Sequence, residues 1–310
     1  MNDTSPNRTP LSPYFLDRAS TLRDQPDWLE AQLKSDTTRC LIAHGAQLLC
    51  RANAPEHPII LTPYELGSAI NLSADSVFLG TVEGIAYFAV LVQSAEQAAQ
   101  LCQQFSGSFE PSVSRAPHME RADKDILSLA CFMGYWHSRH RHCGKCGSQT
   151  TVVSAGHHRI CSDSECAQHF FPNMDPAVIV LVEHDGRALL GRQARWREGM
   201  YSTLAGFVEP GETIEAAVAR EVHEEAGVPL EAIEYQSSQS WLFPNSLMLG
   251  FKAKATSPEI TIDPNELESA AWFTREHVRA NPDMLPNKAS ISYALIQSWL
   301  QSEDRGVMDQ

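Results

Sequence analysis

The sequence predicts an α+β protein in three parts, and each part rests on one observation. Short apolar runs broken by turn-forming residues fill residues 1–122 and predict a small β-rich domain. A helical pattern followed by four clustered cysteines occupies residues 123–172 and predicts a connecting helix and a metal-binding segment. Apolar strands alternate with amphipathic helices over residues 173–310, which predicts a compact domain of ordinary size.

The individual elements follow from these patterns in chain order. In the first part, one helix is expected near 94–105, and the apolar runs that predict strands lie at 39–46, 58–61, 76–80 and 85–93. In the third part, the sequence His-Asp-Gly-Arg after the apolar run 177–183 predicts a hairpin turn into a strand that begins at 188. Later elements are two strands and a final helix, expected at 247–254, 271–273 and 291–301.

The composition describes a large chain with an acidic surface. Its 310 residues correspond to roughly two average domains, and 43% hydrophobic residues are enough to bury more than one core. A formal net charge of −14 repels polyphosphate, which argues against a protein that coats nucleic acid without specificity. The sequence has no apolar run of about 18 residues and no signal-peptide pattern, so we expect a soluble cytoplasmic protein.

The eight cysteines divide into a scattered half and a clustered half. Core burial is the simplest role for the scattered four, which are Cys40, Cys50, Cys102 and Cys131. The pattern Cys143-x-x-Cys146, fourteen residues, Cys161-x4-Cys166 places four thiolates on two loops, as in a closed tetrahedral zinc ribbon. A redox Cys-x-x-Cys is the alternative, but it would not need the second pair. Because four thiolates complete the coordination shell, the zinc is expected to be structural.

Residues 206–228 combine a tight loop with a helix that contains several glutamates. Thr213 is the expected N-cap and Gly227 marks the end, so the helix should run from about 214 to 226. Three carboxylates fall on one side of this helix beside an apolar stripe, and they belong to Glu221, Glu224 and Glu225. Like charges at this spacing oppose helix formation, and hard Mg²⁺ or Mn²⁺ would compensate them. On spacing alone, a solvated acidic face is the alternative.

The complete spacing of this segment resembles the Nudix box. Its nine specified positions are filled by Gly206, Glu212, Arg220, Glu221, Val222, Glu224, Glu225, Gly227 and Val228. The resemblance implies an α/β/α sandwich that binds a divalent metal and hydrolyses a nucleoside diphosphate linked to another moiety. It also implies that Arg220 orients the glutamates by ion pairing. The implied Mg²⁺ or Mn²⁺ ligands are Glu221, Glu224 and Glu225, together with the carbonyl oxygen of Ala205.

The arrangement of a zinc ribbon directly before a Nudix domain resembles that of the NADH pyrophosphatase subfamily. That subfamily has the motif Ser-Gln-Pro-Trp-Pro-Phe-Pro-x-Ser, and residues 238–246 here read Ser-Gln-Ser-Trp-Leu-Phe-Pro-Asn-Ser. Ser240 and Leu242 replace two prolines, which predicts a more flexible loop with weaker or broader nicotinamide recognition. The subfamily's Pro-Arg-x before the first Nudix strand is also changed, to Pro172-Asn173-Met174.

The same resemblance implies further site residues. The dinucleotide site would be lined by Gln239, Ser240, Trp241, Leu242, Phe243, Pro244, Asn245 and Ser246. Phe207 and Phe171 would stack on the bases, and Glu266 would be a further catalytic carboxylate on the metal side. Core burial is the alternative for the aromatic residues, and a simple surface position is the alternative for Glu266. The subfamily is usually a homodimer.

We therefore expect hydrolysis of NADH or NAD⁺ to AMP and nicotinamide mononucleotide, with Glu224 or Glu266 as the general base. One alternative is a broad-specificity Nudix hydrolase of other nucleoside diphosphate derivatives. A second function, compatible with the first, is removal of NAD caps from RNA 5′ ends. A third possibility is an inactive binding module, but the complete set of box glutamates argues against it. Basic residues available for RNA phosphates are Arg139, Arg141, Lys145, Arg187, Arg192, Arg195 and Arg197.

Overall fold

The computed structural model describes residues 16–67, 70–111, 121–241 and 245–306. These residues fall into two compact units, which are 16–173 and 174–306. The three-part division drawn from the sequence at 122/123 and 172/173 stays a prediction. Within the described residues, no helix is both long enough and apolar enough to cross a membrane.

A seven-stranded sheet forms the centre of the first unit. Its strands are β1 (Arg39–His44), β2 (Gln47–Arg51), β3 (Ala54–Pro58), β4 (Ile60–Leu61), β5 (Ser76–Val82), β6 (Ile85–Leu91) and β7 (Gly107–Pro111). The order is β3-β2-β1-β6-β5, with β4 paired to β1 and β7 paired to β2. Strands β1 and β6 are parallel, and the other pairs are antiparallel. The β-rich character expected for this part of the chain is confirmed.

Helices cover both faces of this sheet. They are α1 (Pro26–Lys34), α2 (Pro63–Leu66), α3 (Leu72–Asp75), α4 (Ala95–Phe105) and α5 (Arg121–Arg139). Alternate residues of β1 point to opposite faces, so Leu41 packs with α5 while Ile42 packs with α1 and α4. The helix predicted near 94–105 is confirmed as α4, and the connecting helix predicted before the clustered cysteines is confirmed as α5. Three of the scattered cysteines are buried and Cys102 is partly buried.

The cysteine cluster surrounds a small antiparallel sheet in the same unit. Its strands are β8 (Thr150–Val153), β9 (His158–Cys161) and β10 (His169–Phe170), in the order β10-β9-β8. Cys161 ends β9, and the other three cysteines lie in the loops that precede β8 and β10. Short strands and tight loops of this kind contain too few apolar residues for a core of their own, so a bound metal is the expected stabiliser.

The second unit is a six-stranded mixed sheet with three helices. Its elements are β11 (Asp175–His184), β12 (Arg187–Arg192), β13 (Leu204–Phe207), α6 (Ile214–Ala226), β14 (Leu230–Trp241), β15 (Ser246–Ala255), β16 (Ser269–Phe273), α7 (Arg275–Ala280) and α8 (Ile291–Gly306). The strand order is β14-β15-β11-β12-β16, and β13 pairs with β11. Strands β11 and β15 run parallel at the centre.

Both faces of β11 are buried, which explains why residues 177–182 are all apolar. Val178 and Val180 pack with α6 on one face, whereas Ile179 and Leu181 pack with α7 and α8 on the other. The α/β/α sandwich implied by the Nudix resemblance is confirmed. The predicted hairpin is confirmed as well, because Asp185 and Gly186 both adopt positive φ angles between β11 and β12.

Candidate active site and zinc site

Helix α6 contains three of the predicted metal ligands, and its ends are those that the sequence predicts. The side chain of Thr213 accepts a hydrogen bond from the backbone N–H of Ala216, and Gly227 ends the helix in the left-handed conformation with φ of 68°. Val218 and Val222 are fully buried against the sheet. Because Glu221 and Glu225 adjoin this apolar stripe, packing of the stripe draws both carboxylates into the interior.

Glu225 is the most enclosed carboxylate of the box. Glu225 is only 3% exposed, and its Oε2 has no hydrogen-bond partner among the described residues. Leaving a buried carboxylate oxygen unsatisfied is costly unless a proton or a cation occupies the position beside it. This orphaned oxygen therefore fits the divalent cation that the resemblance implies.

The electrostatics of the site lead to the same conclusion. Burial, together with the charges of Glu221 and Glu266, raises the pKa of Glu225 to about 8, although a backbone hydrogen bond with Ala205 acts in the opposite direction. The pKa of Glu221 is also raised, chiefly by burial, while Arg220 acts against the shift. Glu225 thus holds a proton at neutral pH in the absence of metal, and a divalent cation can replace that proton.

Arg220 organises the charged side of the helix. Its guanidinium forms ion pairs with Glu212, Glu221 and Glu224, and it donates a 2.9 Å hydrogen bond to the carbonyl oxygen of Phe207. Hydrogen bonding to Arg220 lowers the pKa of Glu212 to about 2, and the same contact raises the pKa of the guanidinium. The orienting role implied for Arg220 is consistent with these contacts.

Two other box residues, Glu212 and Gly206, have structural roles that are not evident from the sequence. Glu212 accepts a 3.0 Å hydrogen bond from the backbone N–H of Glu209, so it closes the loop before α6 as well as pairing with Arg220. At Gly206, a Cβ atom would lie 1.9 Å from the carboxyl carbon of Glu221. The first glycine of the box is therefore required for the close approach of β13 to this carboxylate. In the sequence, Gly206 and Glu212 are marked by their specified positions in the Nudix box, but their contacts are not.

The three box carboxylates do not converge on one point. Among the described residues, only the four ribbon cysteines bring three or more ligand atoms within 4.8 Å of one another. Glu224 is half exposed and its carboxylate turns towards Arg220 at 2.8 Å. Glu266 is exposed, yet its charge acts on both Glu221 and Glu225, so it lies on the same side of the unit. Their roles as metal ligands stay predictions.

The cysteine cluster has the geometry of a tetrahedral site. The Sγ atoms of Cys143 and Cys166 are 3.7 Å apart, and those of Cys146 and Cys161 are 3.4 Å apart. Zn–S bonds of about 2.3 Å at tetrahedral angles separate the sulfur atoms by about 3.8 Å. The backbone N–H of Lys145 also donates a hydrogen bond to the Sγ of Cys143. The donor set therefore fits a structural zinc ion, and a two-cysteine redox site does not account for it.

The predicted substrate segment lies at the junction of β14 and β15, and Leu242, Phe243 and Pro244 lie outside the described residues. Ser240 is exposed, whereas Ser246 is buried. The side chain of Gln239 donates to the carbonyl oxygen of Ala289 at 2.7 Å and accepts from the N–H of Ile291 at 2.8 Å. Gln239 thus links β14 to the start of α8, and no periodic pattern in the sequence predicts this role.

The aromatic residues proposed to stack on bases are not core residues. Phe171 is 62% exposed and Phe207 is 55% exposed, and Trp241 also presents more than a third of its surface to solvent. In the first unit, the ring of Phe171 lies 5.1 Å from that of His158. Large exposed aromatic side chains are typical of surfaces that bind another molecule, so core burial does not explain these three positions.

Comparison with known proteins agrees with this architecture. Residues 173–295 match the NUDIX domain, and residues 138–171 match the NADH pyrophosphatase zinc ribbon domain. The chain belongs to the Nudix hydrolase family, in the group in which that zinc ribbon precedes the Nudix domain. The resemblance drawn from the box and the cysteine spacing is confirmed.

Three curated relatives show how far the likeness extends. The NAD-capped RNA hydrolase NudC of Mycobacterium tuberculosis is 37% identical over an alignment of 319 positions, which covers 94% of this chain and 95% of that protein. The NAD-capped RNA hydrolase NUDT12 of Macaca fascicularis is 40% identical over 62% of this chain, and the match spans only 45% of its own length. The mitochondrial NAD(P)H pyrophosphatase NUDT13 of Mus musculus is 37% identical over 64% of this chain and 61% of its length.

Proposed function

We propose that the protein hydrolyses the pyrophosphate bond of NADH and NAD⁺ and releases AMP and nicotinamide mononucleotide. The central observation is Glu225, a buried carboxyl group with an unsatisfied oxygen beside the charges of Glu221 and Glu266. A site of this kind favours a hard divalent cation, and such cations also bind phosphate oxygens. The mouse relative, described as an NAD(P)H pyrophosphatase, supports the choice of dinucleotide.

The chain's own residues supply the ligands and their orientation. Glu221, Glu224 and Glu225, with the carbonyl oxygen of Ala205, are the proposed ligands of Mg²⁺ or Mn²⁺. When bound, the cation activates a water molecule and neutralises charge that develops on the phosphate oxygens. Arg220 holds Glu221 and Glu224 in place through its ion pairs.

The reaction needs a nucleophile, a base and a leaving group. The oxygen of water forms a bond to one phosphorus atom, the bond between that phosphorus and the bridging oxygen breaks, and the other phosphate leaves with the bridging oxygen. A carboxylate accepts the proton that water loses. Glu224 and Glu266 are the proposed candidates, because both are exposed and the charges of both act on the buried Glu221.

Recognition of the dinucleotide is proposed to involve the end of β14 and the exposed ring of Phe207. Gln239 anchors this strand to the start of α8, so the segment from Gln239 to Ser246 begins from a fixed point. Serine at 240 and leucine at 242 lack the ring restraint of proline, which favours broader acceptance of other nucleoside diphosphate derivatives. The stacking role of Phe171 in the first unit stays a prediction.

Removal of NAD caps from RNA is the second proposed activity. Two of the relatives are described as NAD-capped RNA hydrolases, one of them over nearly the full length of this chain. Arg139, Arg141 and Lys145 are exposed around the ribbon, where they can meet phosphates. Arg192 is less available, because it pairs with Glu268 and donates to the carbonyl oxygen of Arg197.

One experiment separates these activities. The purified protein is incubated with Mg²⁺ and a panel of NADH, NAD⁺, ADP-ribose, dinucleoside polyphosphates and NAD-capped RNA, and kcat/KM is compared. We expect the highest values for NADH, NAD⁺ or the capped RNA. Similar values across the whole panel would favour the broad-specificity alternative, and no hydrolysis of any member would contradict the enzyme itself. A homodimer, tested by light scattering, and a cytoplasmic location complete the proposal.

A further inference from the structure

A cavity of about 400 Å³ lies in the first unit, beside the turn between β1 and β2 and against the end of α5. Small apolar residues form part of its wall, and the polar part consists of His44, Gln93, His137, Ser138, Arg141 and Arg159, with Gln47 at the turn. A second cavity shares Gln93, Arg141 and Arg159 with the first, so the two adjoin. No aspartate or glutamate of the described chain lines either cavity.

Arg159 is a buried cation in this wall. The residue is 7% exposed, and its guanidinium forms no ion pair with any carboxylate among the described residues. Arginine is rarely buried without a negative partner, because loss of hydration of the charge must be offset. Its partners here are all neutral, since it donates to the hydroxyl and the carbonyl oxygen of Thr150 and to a ring nitrogen of His137.

His137 fixes the orientation of this guanidinium without adding charge. Its Nε2 lies 2.9 Å from the carbonyl oxygen of Gly156 and so donates its proton there, which leaves Nδ1 to accept from Nη1 of Arg159 at 2.9 Å. A guanidinium has five N–H groups, and the contacts of Arg159 use three of them. The other two donors of this positioned, buried cation have no acceptor among the described residues, so they remain for a ligand.

Arg141 provides a second cation in the same two cavities. It is exposed, and its side chain makes no ion pair within the described parts of the chain. The whole chain has a net charge of −14, so a cavity wall with two arginines and no carboxylate is a local reversal of the surface charge. Guanidinium groups present paired donors that match the oxygens of a phosphate group.

We propose that these adjoining cavities bind a phosphate group, held by Arg159 and Arg141. The phosphate comes either from a phosphate monoanion or dianion in solution or from the backbone of an RNA strand. The site lies within residues 43–159, whereas the Nudix box lies at 206–228, so the proposal does not depend on the hydrolysis proposed above. His137 and Thr150 are positioning residues, because they hold the guanidinium of Arg159.

The test uses the zinc-loaded full chain in buffer without Mg²⁺, so that no cation bridges a phosphate to the box glutamates. Binding of inorganic phosphate is measured by calorimetry, and binding of a short 5′-hydroxyl RNA, which has phosphodiesters but no cap to hydrolyse, is measured by fluorescence anisotropy. Arg141→Glu is the diagnostic variant. Arg51→Glu is the matched control, because Arg51 is an exposed arginine of the same unit that lines neither cavity.

We expect Arg141→Glu to weaken binding about tenfold or more, because an attractive charge becomes a repulsive one. Arg51→Glu changes the net charge equally and should weaken it much less. In the RNA arm, each lost phosphate contact should also lower the slope of log K against log salt by about 0.7. An effect confined to phosphate identifies a free phosphate ligand, and one confined to RNA identifies the RNA backbone; either result supports the site.

Arg159→Met gives a second test that removes the buried charge. Because this change also breaks three hydrogen bonds, zinc content and the melting temperature are measured with it, and Arg159→Lys restores the charge. Partial recovery of binding by lysine is the expected result. The proposal is overturned if neither probe binds the wild-type protein, or if Arg141→Glu and Arg51→Glu have equal effects.

Discussion

The two candidate metal sites differ in how completely the fold arranges their ligands. In the ribbon, four sulfur atoms already lie within 4.8 Å of one another. On α6, the carboxylates are spread along one side of the helix, and Arg220 acts as an internal cation for two of them. A closed set of ligands suits a structural ion, whereas a loosely held set suits an ion that must also accept substrate oxygens.

The difference has a physical origin in the two kinds of ligand. Thiolates on short loops have few rotatable bonds and no internal positive partner, so their separation is fixed by the loops. Glutamate side chains are longer, and burial raises the pKa of Glu225, so a proton competes with a metal ion for its carboxylate near neutral pH. The first site should therefore determine stability, and the second should determine activity.

The largest expected effect is loss of stability on Cys143→Ser. Zinc binding contributes roughly 10–16 kcal/mol to the folding of small zinc domains, and the loss of one thiolate should forfeit a large part of it in the first unit. Elemental analysis should fall from about one zinc per chain to none. Cys102→Ser, outside the cluster, is the control. A variant without zinc that unfolds at the wild-type temperature would show that the ribbon does not depend on its metal.

The pH dependence of the second unit is the next effect. In the unfolded chain Glu225 ionises near 4.5, but in the metal-free folded chain it keeps its proton up to about 8. The folded state binds more protons in this window, so stability should fall as the pH rises from about 5 to about 8 and then level off. At about 1.36 kcal/mol per pH unit, the loss is at most about 5 kcal/mol.

This loss is measured by urea unfolding of protein dialysed free of Mg²⁺, since a chelator would also remove zinc. Added Mg²⁺ should flatten the profile, because the cation takes the place of the proton. Glu225→Gln should flatten it without metal. A metal-free profile that rises over the same interval would show that Glu225 is not the group that titrates.

The effect of Glu225→Gln on catalysis comes third. The amide keeps the shape of the side chain but removes a charged ligand, so kcat should fall about 10²-fold or more while the fold is retained. Glu215→Gln on the same helix is the control, because Glu215 is exposed in the first turn. Steady-state rates with NADH and Mg²⁺ measure both. Activity of Glu225→Gln within twofold of wild type would exclude α6 as the catalytic helix.

A smaller effect is expected at the glycines. A Cβ at Gly206 would meet the carboxylate of Glu221, so Gly206→Ala should displace this ligand and lower kcat by about 10- to 100-fold. In the ribbon, a Cβ at Gly144 meets nothing within 4 Å, so Gly144→Ala should leave zinc content and stability unchanged. The two variants compare a glycine that packs against a proposed metal ligand with a glycine that has open space around it. Equal activity of Gly206→Ala and wild type would mean that Glu221 can move without consequence.

The features that the sequence predicted are those with local causes. Helix α6 was delimited correctly because Thr213 and Gly227 act on backbone groups only a few residues away. The ribbon followed from spacing between neighbouring cysteines. By contrast, Gln239 bonds to residues 50 and 52 positions later, and Arg159 bonds to a histidine 22 positions earlier. Such contacts are made by tertiary packing and leave no period in the sequence.

The smallest effect concerns the loop between β14 and β15. Strand β14 lies at the end of the sheet order, and proline is tolerated on an edge strand where its nitrogen faces solvent. Ser240→Pro, at the end of β14, should then restrict the backbone that leads into the loop, an effect of about 0.4–1 kcal/mol. If that restraint favours the binding conformation, the ratio of kcat/KM for NADH to that for ADP-ribose should rise about two- to fivefold.

Ser240→Ala is the control for this change, because it removes the hydroxyl group without restricting φ. A matching loss of stability in Ser240→Pro would show instead that the N–H of Ser240 is needed for pairing with β15, opposite Leu247. An equal change in kcat/KM for NADH and ADP-ribose would mean that the loop does not contact the nicotinamide half. Selectivity would then depend on the exposed ring of Phe207 and on residues elsewhere, and the broad-specificity alternative would be preferred.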